Sequence, residues 1–170
     1  MTQPVGTIMQ IAYVVEDLDQ ALNHWLQKTN TGPFFVLKNL EILNPEYRRK
    51  STDLDLTIAL GYSGSLCVEL IKQNNAVPSV YNEPPMAGFH HWGVMTEGFD
   101  RDLAMHEQNG NELLFSGAVA VGGRFAYVDT RPQLGGMIEL IELTPLVAEL
   151  FENLESAARV WNGDDPIRFP

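Results

Sequence analysis

The stretch QIAYVVEDLDQAL (10–22) aligns without a gap on HWGVMTEGFDRDL (91–103), and this internal match decides the fold. In the first copy, residues 7–15 are apolar and β-branched and read as a strand. Leu18, Ala21, Leu22, Trp25 and Leu26 then recur at helical spacing as one apolar stripe. Asp17 with Gln20 three residues later supplies a capping box at the helix start. In the second copy, residues 89–95 read as a strand and 99–109 as a weaker helix ending at Gly110, so strand aligns on strand and helix on helix. The far ends of the two copies also match, LCVELI (66–71) with GMIELI (136–141).

The same order fills the space between. Thr31, Gly32 and Pro33 stop the first helix, and 33–37 reads as a short strand. Residues 53–60 alternate, with Leu54, Leu56, Ile58 and Leu60 on one face, as a half-buried strand does. A turn at 61–65 leads to a strand at 66–71. A linker at 73–88, containing Pro78, Pro84 and Pro85, precedes the second copy, whose strands fall at 112–119, 124–129 and 136–143 around a turn at Gly122 and Gly123. Thr144 and Pro145 open a further helix at 145–161, with an apolar stripe of Val147, Leu150, Phe151, Leu154, Ala158 and Trp161. Residues 162–170 read as irregular. The expectation is an α+β chain, one domain over 1–170, built from two βαβββ modules (7–72 and 88–143) that form a cleft, plus a C-terminal helix.

Composition narrows the function classes. The chain has 170 residues, 45% hydrophobic and 19% charged, which is the profile of a folded domain rather than a disordered one. A formal net charge of −11 repels phosphate backbones and anionic headgroups, so nucleic-acid and membrane partners are not expected. Cys67 is the only cysteine, which excludes a disulfide framework and any multi-cysteine zinc site. With no basic-then-apolar leader and no long apolar run, a cytoplasmic location is expected.

Two acids stand out. Glu69 and Glu139 lie inside runs that are apolar on both faces, where an unpartnered carboxylate costs several kcal/mol. The duplicated frame puts Gln10 and His91 at equivalent points of the first strands, so side-by-side packing of the halves brings all four together. One imidazole nitrogen, one amide oxygen and two carboxylates suit a single divalent cation such as Zn, Ni, Co, Mn or Mg, leaving positions for water or a substrate oxygen. Taken singly, each of these residues has a plainer explanation: a rim glutamate, a satisfied polar group, a core histidine. Their matched places in a repeat weigh against that.

At these residues the sequence resembles the vicinal oxygen chelate superfamily, which includes glyoxalases, methylmalonyl-CoA epimerases, extradiol dioxygenases and bleomycin-resistance proteins. The resemblance covers about residues 7 to 143 and rests on IAYVVEDLDQALNHW, GPFFVL, ELIKQ, HHWGV, GGRFAYVDT and GGMIELIEL. It implies a metal cleft with ligands at Gln10, Glu69, His91 and Glu139; the epimerases carry His where this chain has Gln10. The set is similar to that of zinc glyoxalase I, while the loops resemble the epimerase-related bacterial proteins. The resemblance also implies a homodimer, with the C-terminal helix covering apolar surface on its own sheet or on the partner.

The expected activity is that of a metal-dependent isomerase, epimerase or lyase moving a proton next to a carbonyl of a small or thioester substrate, with Glu139 or Glu69 as the base. The alternative is a binding protein holding a small apolar ligand without chemistry. An extradiol dioxygenase needs two His and one carboxylate, and these positions offer one His. Among the remaining candidates, His90 is expected to point away from His91 into packing or a dimer contact, and Cys67 to fill core. Arg48, Arg49 and Lys50 read as a solvated loop or, less simply, as an anion-capturing group. Arg124 and Tyr127 face either the cleft or its reverse. Trp25, Phe34, Phe35 and Trp92 read as core that could also make the cleft apolar.

Overall fold

The computed structural model describes residues 3–83, 87–120 and 122–169. Along the chain come β1 (Ile8–Val14), α1 (Leu18–Thr29), β2 (Phe34–Leu37), β3 (Ile42–Tyr47), β4 (Lys50–Ser51), β5 (Leu56–Ser63) and β6 (Leu66–Gln73). There follow β7 (Gly88–Thr96), α2 (Phe99–Gln108), β8 (Leu113–Val119), β9 (Arg124–Val128), α3 (Arg131–Leu134), β10 (Met137–Glu142), α4 (Pro145–Arg159) and β11 (Ile167–Arg168). All the strands join one sheet in the order β11-β2-β5-β6-β1-β7-β10-β9-β8-β3-β4.

The two copies share a wiring rule. The first strand of each lies parallel to its last, β1 to β6 and β7 to β10, and the copies join through antiparallel β1 and β7. A parallel pair needs a crossover, and α1 and α2 begin those crossovers on the outer face. The Asp17 carboxylate caps α1 by accepting from the Gln20 N–H at 2.9 Å. Leu18 and Leu22 then pack on Ile11, Tyr13, Val68 and Leu70. Phe99 and Leu103 of α2 pack on Ala126, Ile138 and Leu140. The opposite face holds the main core, including Ile58, Phe115, Phe125, Tyr127 and Ile141.

Helix α4 closes over that core. Its Thr144 side chain accepts from the Val147 N–H, and Val147, Phe151 and Leu154 are buried against this chain's own sheet. Each such side chain contributes about 1.5–3 kcal/mol when fully removed from water. Of the two placements expected for this helix, the chain takes the internal one. No described helix is long and apolar enough to cross a membrane.

Three segments differ from expectation. The turn expected at 61–65 occupies only the Gly64–Ser65 step, because β5 continues to Ser63. Gly61 is there for close approach: a Cβ would lie 2.9 Å from the Phe34 ring. The segment around Pro45, read as a loop, forms the β3–β4 hairpin, with Arg48 and Arg49 at positive φ in its two-residue turn. β3 pairs with β8, so a piece of the first half extends the sheet of the second. The tail is not wholly irregular: Ile167 and Arg168 add a parallel strand beside Phe34 and Phe35.

Candidate metal centre

Strand alternation aims the site. On β6, Val68 and Leu70 face α1 while Cys67, Glu69 and Ile71 face the opposite side; on β10, Ile138 and Leu140 face α2 while Met137, Glu139 and Ile141 face inward. β1 and β7 lie between these strands and supply Gln10 and His91. Gly93 sits opposite Gln10 in the β1–β7 pairing, and a Cβ there would come within 2.8 Å of the Gln10 Cβ. Glycine is what lets the Gln10 side chain reach the acids.

The four expected residues meet. Gln10 Nε2 donates to Glu69 Oε2 at 2.9 Å and to Glu139 Oε2 at 3.3 Å. His91 Nε2 lies 3.1 Å from Glu139 Oε2 and 3.4 Å from Glu69 Oε2. His91 is fully buried, and Gln10, Glu69 and Glu139 are buried too. Burial raises the Glu69 pKa; the His91 hydrogen bond opposes this and the Glu139 charge adds to it. Burial lowers the His91 pKa, but the Glu139 charge and the hydrogen bonds that the ring donates to both acids outweigh it and hold the ring at about 9. At neutral pH the His91 ring is therefore protonated, and it faces the side chains of Glu69 and Glu139.

This donor set fits a divalent cation. Glu69, His91 and Glu139 each offer a ligand atom within 4.8 Å of the others. Tetrahedral donors about 2.0–2.2 Å from one ion lie about 3.3–3.6 Å from each other, and His91 Nε2 stands 3.4 and 3.1 Å from the Glu69 and Glu139 oxygens. A divalent charge also balances both acids with His91 neutral. Gln10 could add a fourth donor by exchanging its amide nitrogen and oxygen, a rotation that leaves the side chain in place.

His90 corrects an expectation. It does not point away from His91: the β1–β7 pairing slips by one residue between Ala12–His91 and Tyr13–Phe89, so the two histidines share a side. His90 Nε2–H donates to the Val80 carbonyl at 3.2 Å, which leaves Nδ1 bare to accept from His91 Nδ1–H at 2.9 Å. Burial, reinforced by the His91 charge, lowers the His90 pKa to about 3, so His90 stays neutral. That chain keeps the His91 Nδ1 protonated and directs Nε2 at the acids, an outer-shell arrangement typical of metal-bound histidines. No local pattern in the sequence marks the slip.

Tyr81 and Tyr127 also escaped the sequence reading as a pair. Tyr81 O–H donates to Tyr127 Oη at 3.1 Å, and the Tyr127 ring centroid lies 4.7 Å from that of His91. Burial raises both phenols well above their ordinary range, so both are neutral donors. Tyr127 therefore faces the cleft, the point that its sequence left open.

Above this polar floor lies a cavity of about 290 Å³. Its walls are aliphatic and aromatic: Leu37, Leu40, Ile58 and Leu60 on one side, Val119 and Phe125 on the other, with Val147, Leu150 and Phe151 from α4. Trp25, Phe34, Phe35 and Trp92 do not line it, so the apolar cleft is the work of other residues. Arg124 stands at the rim, held by Asp100 at 2.8 Å and Glu142 at 2.7 Å. Arg48 is bound to Glu83 and Glu112, and Arg49 to Glu107, all away from the cavity. Cys67 is buried in the core with its thiol pKa raised by burial, an inert filler.

A paired-βαβ-type sheet with a polar cluster at its centre is the class that fold and site define. The model of the Glyoxalase/Bleomycin resistance protein/Dioxygenase superfamily matches residues 9–127, and the chain belongs to that family. Among solved structures, methylmalonyl-CoA epimerase from Mycobacterium tuberculosis superposes with a TM-score of 0.58 at 16% identity, over 88% of this chain and 95% of that one. A hypothetical protein from Bacillus halodurans C-125 gives 0.56 at 17% identity, over 81% and 94%. At these identities the likeness is one of fold. A comparison with curated protein sequences finds no match.

Proposed function

We propose that this chain is a divalent-metal-dependent enzyme that moves a proton on the carbon beside a substrate carbonyl, as an isomerase, epimerase or lyase. The observation that carries it is the buried Gln10, Glu69, His91 and Glu139 cluster, of which Gln10, Glu69 and Glu139 line the cavity. A divalent ion such as Zn, Ni, Co, Mn or Mg, bound there, supplies Lewis-acid polarisation of the carbonyl oxygen. Glu139 takes the proton; its cross-strand neighbour is Tyr127, so base and phenol donor face the same part of the cavity. Tyr127 donates to the oxygen on which charge develops, and the apolar walls keep water from competing. Glu69 is the alternative base, on the opposite side of His91.

The functional unit is the whole 1–170 chain, since both halves supply ligands and α4 supplies a wall. We place it in the cytoplasm. A homodimer goes with this reading on the resemblance alone, because α4 already buries its stripe within the chain; light scattering that returns a 19 kDa particle refutes it. The apolar walls also suit the alternative, a non-catalytic carrier of a small apolar ligand.

Solvent exchange separates the two. With a carbonyl substrate in D₂O, the metal-loaded protein is expected to exchange the α-proton and the chelator-stripped protein is not, as followed by ¹H NMR. Equal rates in both samples remove the proposed chemistry.

A further inference from the structure

Resting on the proposed chemistry, the structure narrows the substrate. We propose that it is an uncharged, largely apolar carbonyl compound, such as a cyclic or fused-ring ketone, taken whole into the cavity, rather than a coenzyme A thioester or a glutathione adduct.

Size is the first argument. At about 290 Å³ the cavity lies at the lower end of ligand pockets, about 300–1,000 Å³. A ring ketone fits inside, whereas a nucleotide-bearing thioester has to leave most of its length at the mouth.

Charge is the second. Burying an ion without a partner is costly, and an enzyme that binds phosphates or carboxylates meets them with free Arg or Lys donors. Among the described lining residues the one cation is Arg124, and its guanidinium is committed: Nε and one terminal nitrogen donate to Glu142, the other to Asp100. It also stacks over the Phe99 ring at 4.5 Å. The other charge at the rim, Glu41, is exposed and of the wrong sign for an anion. Arg48 and Arg49, two cations of the basic run, are engaged by Glu83, Glu112 and Glu107, away from the cavity. A chain carrying −11 adds a long-range field that repels anions.

The third argument is the match between floor and walls. Among the described lining residues, the buried polar groups are Gln10, Glu69, Glu139 and the Tyr81–Tyr127 pair, while Leu40, Ile58, Phe125 and Leu150 line the space above. That pattern recognises one oxygen-bearing edge on an otherwise apolar body.

The test is calorimetric binding to the full metal-loaded chain, with 2-tetralone as the uncharged probe and methylmalonyl-CoA and the methylglyoxal–glutathione hemithioacetal as charged ones. Expected is saturable 2-tetralone binding at least tenfold tighter than either anion. Filling the cavity with Ile58→Trp, or with Leu40→Trp in the half-buried loop if the first variant fails to fold, should weaken it at least tenfold with metal content unchanged. The proposal is overturned if either anion binds as tightly as 2-tetralone, if 2-tetralone does not bind, or if a folded filled-cavity variant binds it unchanged. The two readings fail separately. Bound 2-tetralone that never exchanges its α-protons keeps the ligand class and removes proton transfer; a coenzyme A thioester that binds tightly and exchanges does the reverse.

Discussion

Replacing Glu139 by glutamine is expected to lower turnover by about 10²- to 10⁴-fold, the range lost with a general base, in a chain that stays folded. Glutamine keeps the shape of the side chain, and its amide oxygen can still accept from His91 Nε2 and Gln10 Nε2, the two donors now at 3.1 and 3.3 Å. What it cannot do is take up a proton. Because one negative ligand is also lost, the rate is read at saturating metal, with Glu69→Gln in parallel. A Glu139→Gln enzyme within tenfold of wild type, beside an inactive Glu69→Gln, moves the base to Glu69.

His91→Ala is expected to have the largest effect on stability and on metal affinity together. It removes the nitrogen donor and leaves Glu69 and Glu139, both buried, facing one another with only the Gln10 amide between them. Removing one partner of a buried ionic group costs about 3–5 kcal/mol. The pH dependence has a definite sign. The His91 pKa in the folded chain, about 9, exceeds its ordinary value, so its contribution is complete below about 6.5 and is lost as pH rises through about 9. Urea melts of the metal-free proteins should therefore show the gap between wild type and His91→Ala closing between pH 7 and pH 9.5. A gap that widens over that interval means that His91 is not held as the imidazolium.

The repeat was legible because it is written in local patterns: period two in β5, continuous apolar runs in β6 and β10, a helical stripe in α1, and the same order again after residue 88. The acids were legible because charge inside a doubly apolar strand is costly, and the structure brings both to one point with Gln10 and His91. What escaped was set by contacts distant in sequence. The β3 strand contains Pro45 and a register slip between Leu43 and Glu46, so no alternation announces it, and its partner β8 lies some seventy residues on. His90 was placed on the wrong side because alternation holds only while pairing is regular, and the slip opposite Ala12 and Tyr13 is a property of two strands rather than of one. Tyr81 lies outside every regular element, and only the fold brings it to Tyr127. Which side Arg124 takes is likewise set by distant partners, since Asp100 and Glu142 hold its guanidinium at the cavity rim.

The central claim is that this cluster holds one divalent ion through His91 Nε2 and the two acids, and calorimetric titration of the metal-free chain with Co²⁺ at pH 7 tests it most directly. Run in two buffers of different ionisation enthalpy, the titration also counts protons. Since His91 is protonated before binding and its Nε2 must be bare to ligate, the account predicts one ion per chain with about one proton released, and loss of that site in His91→Ala. No saturable binding, or binding that His91→Ala leaves unchanged, contradicts it.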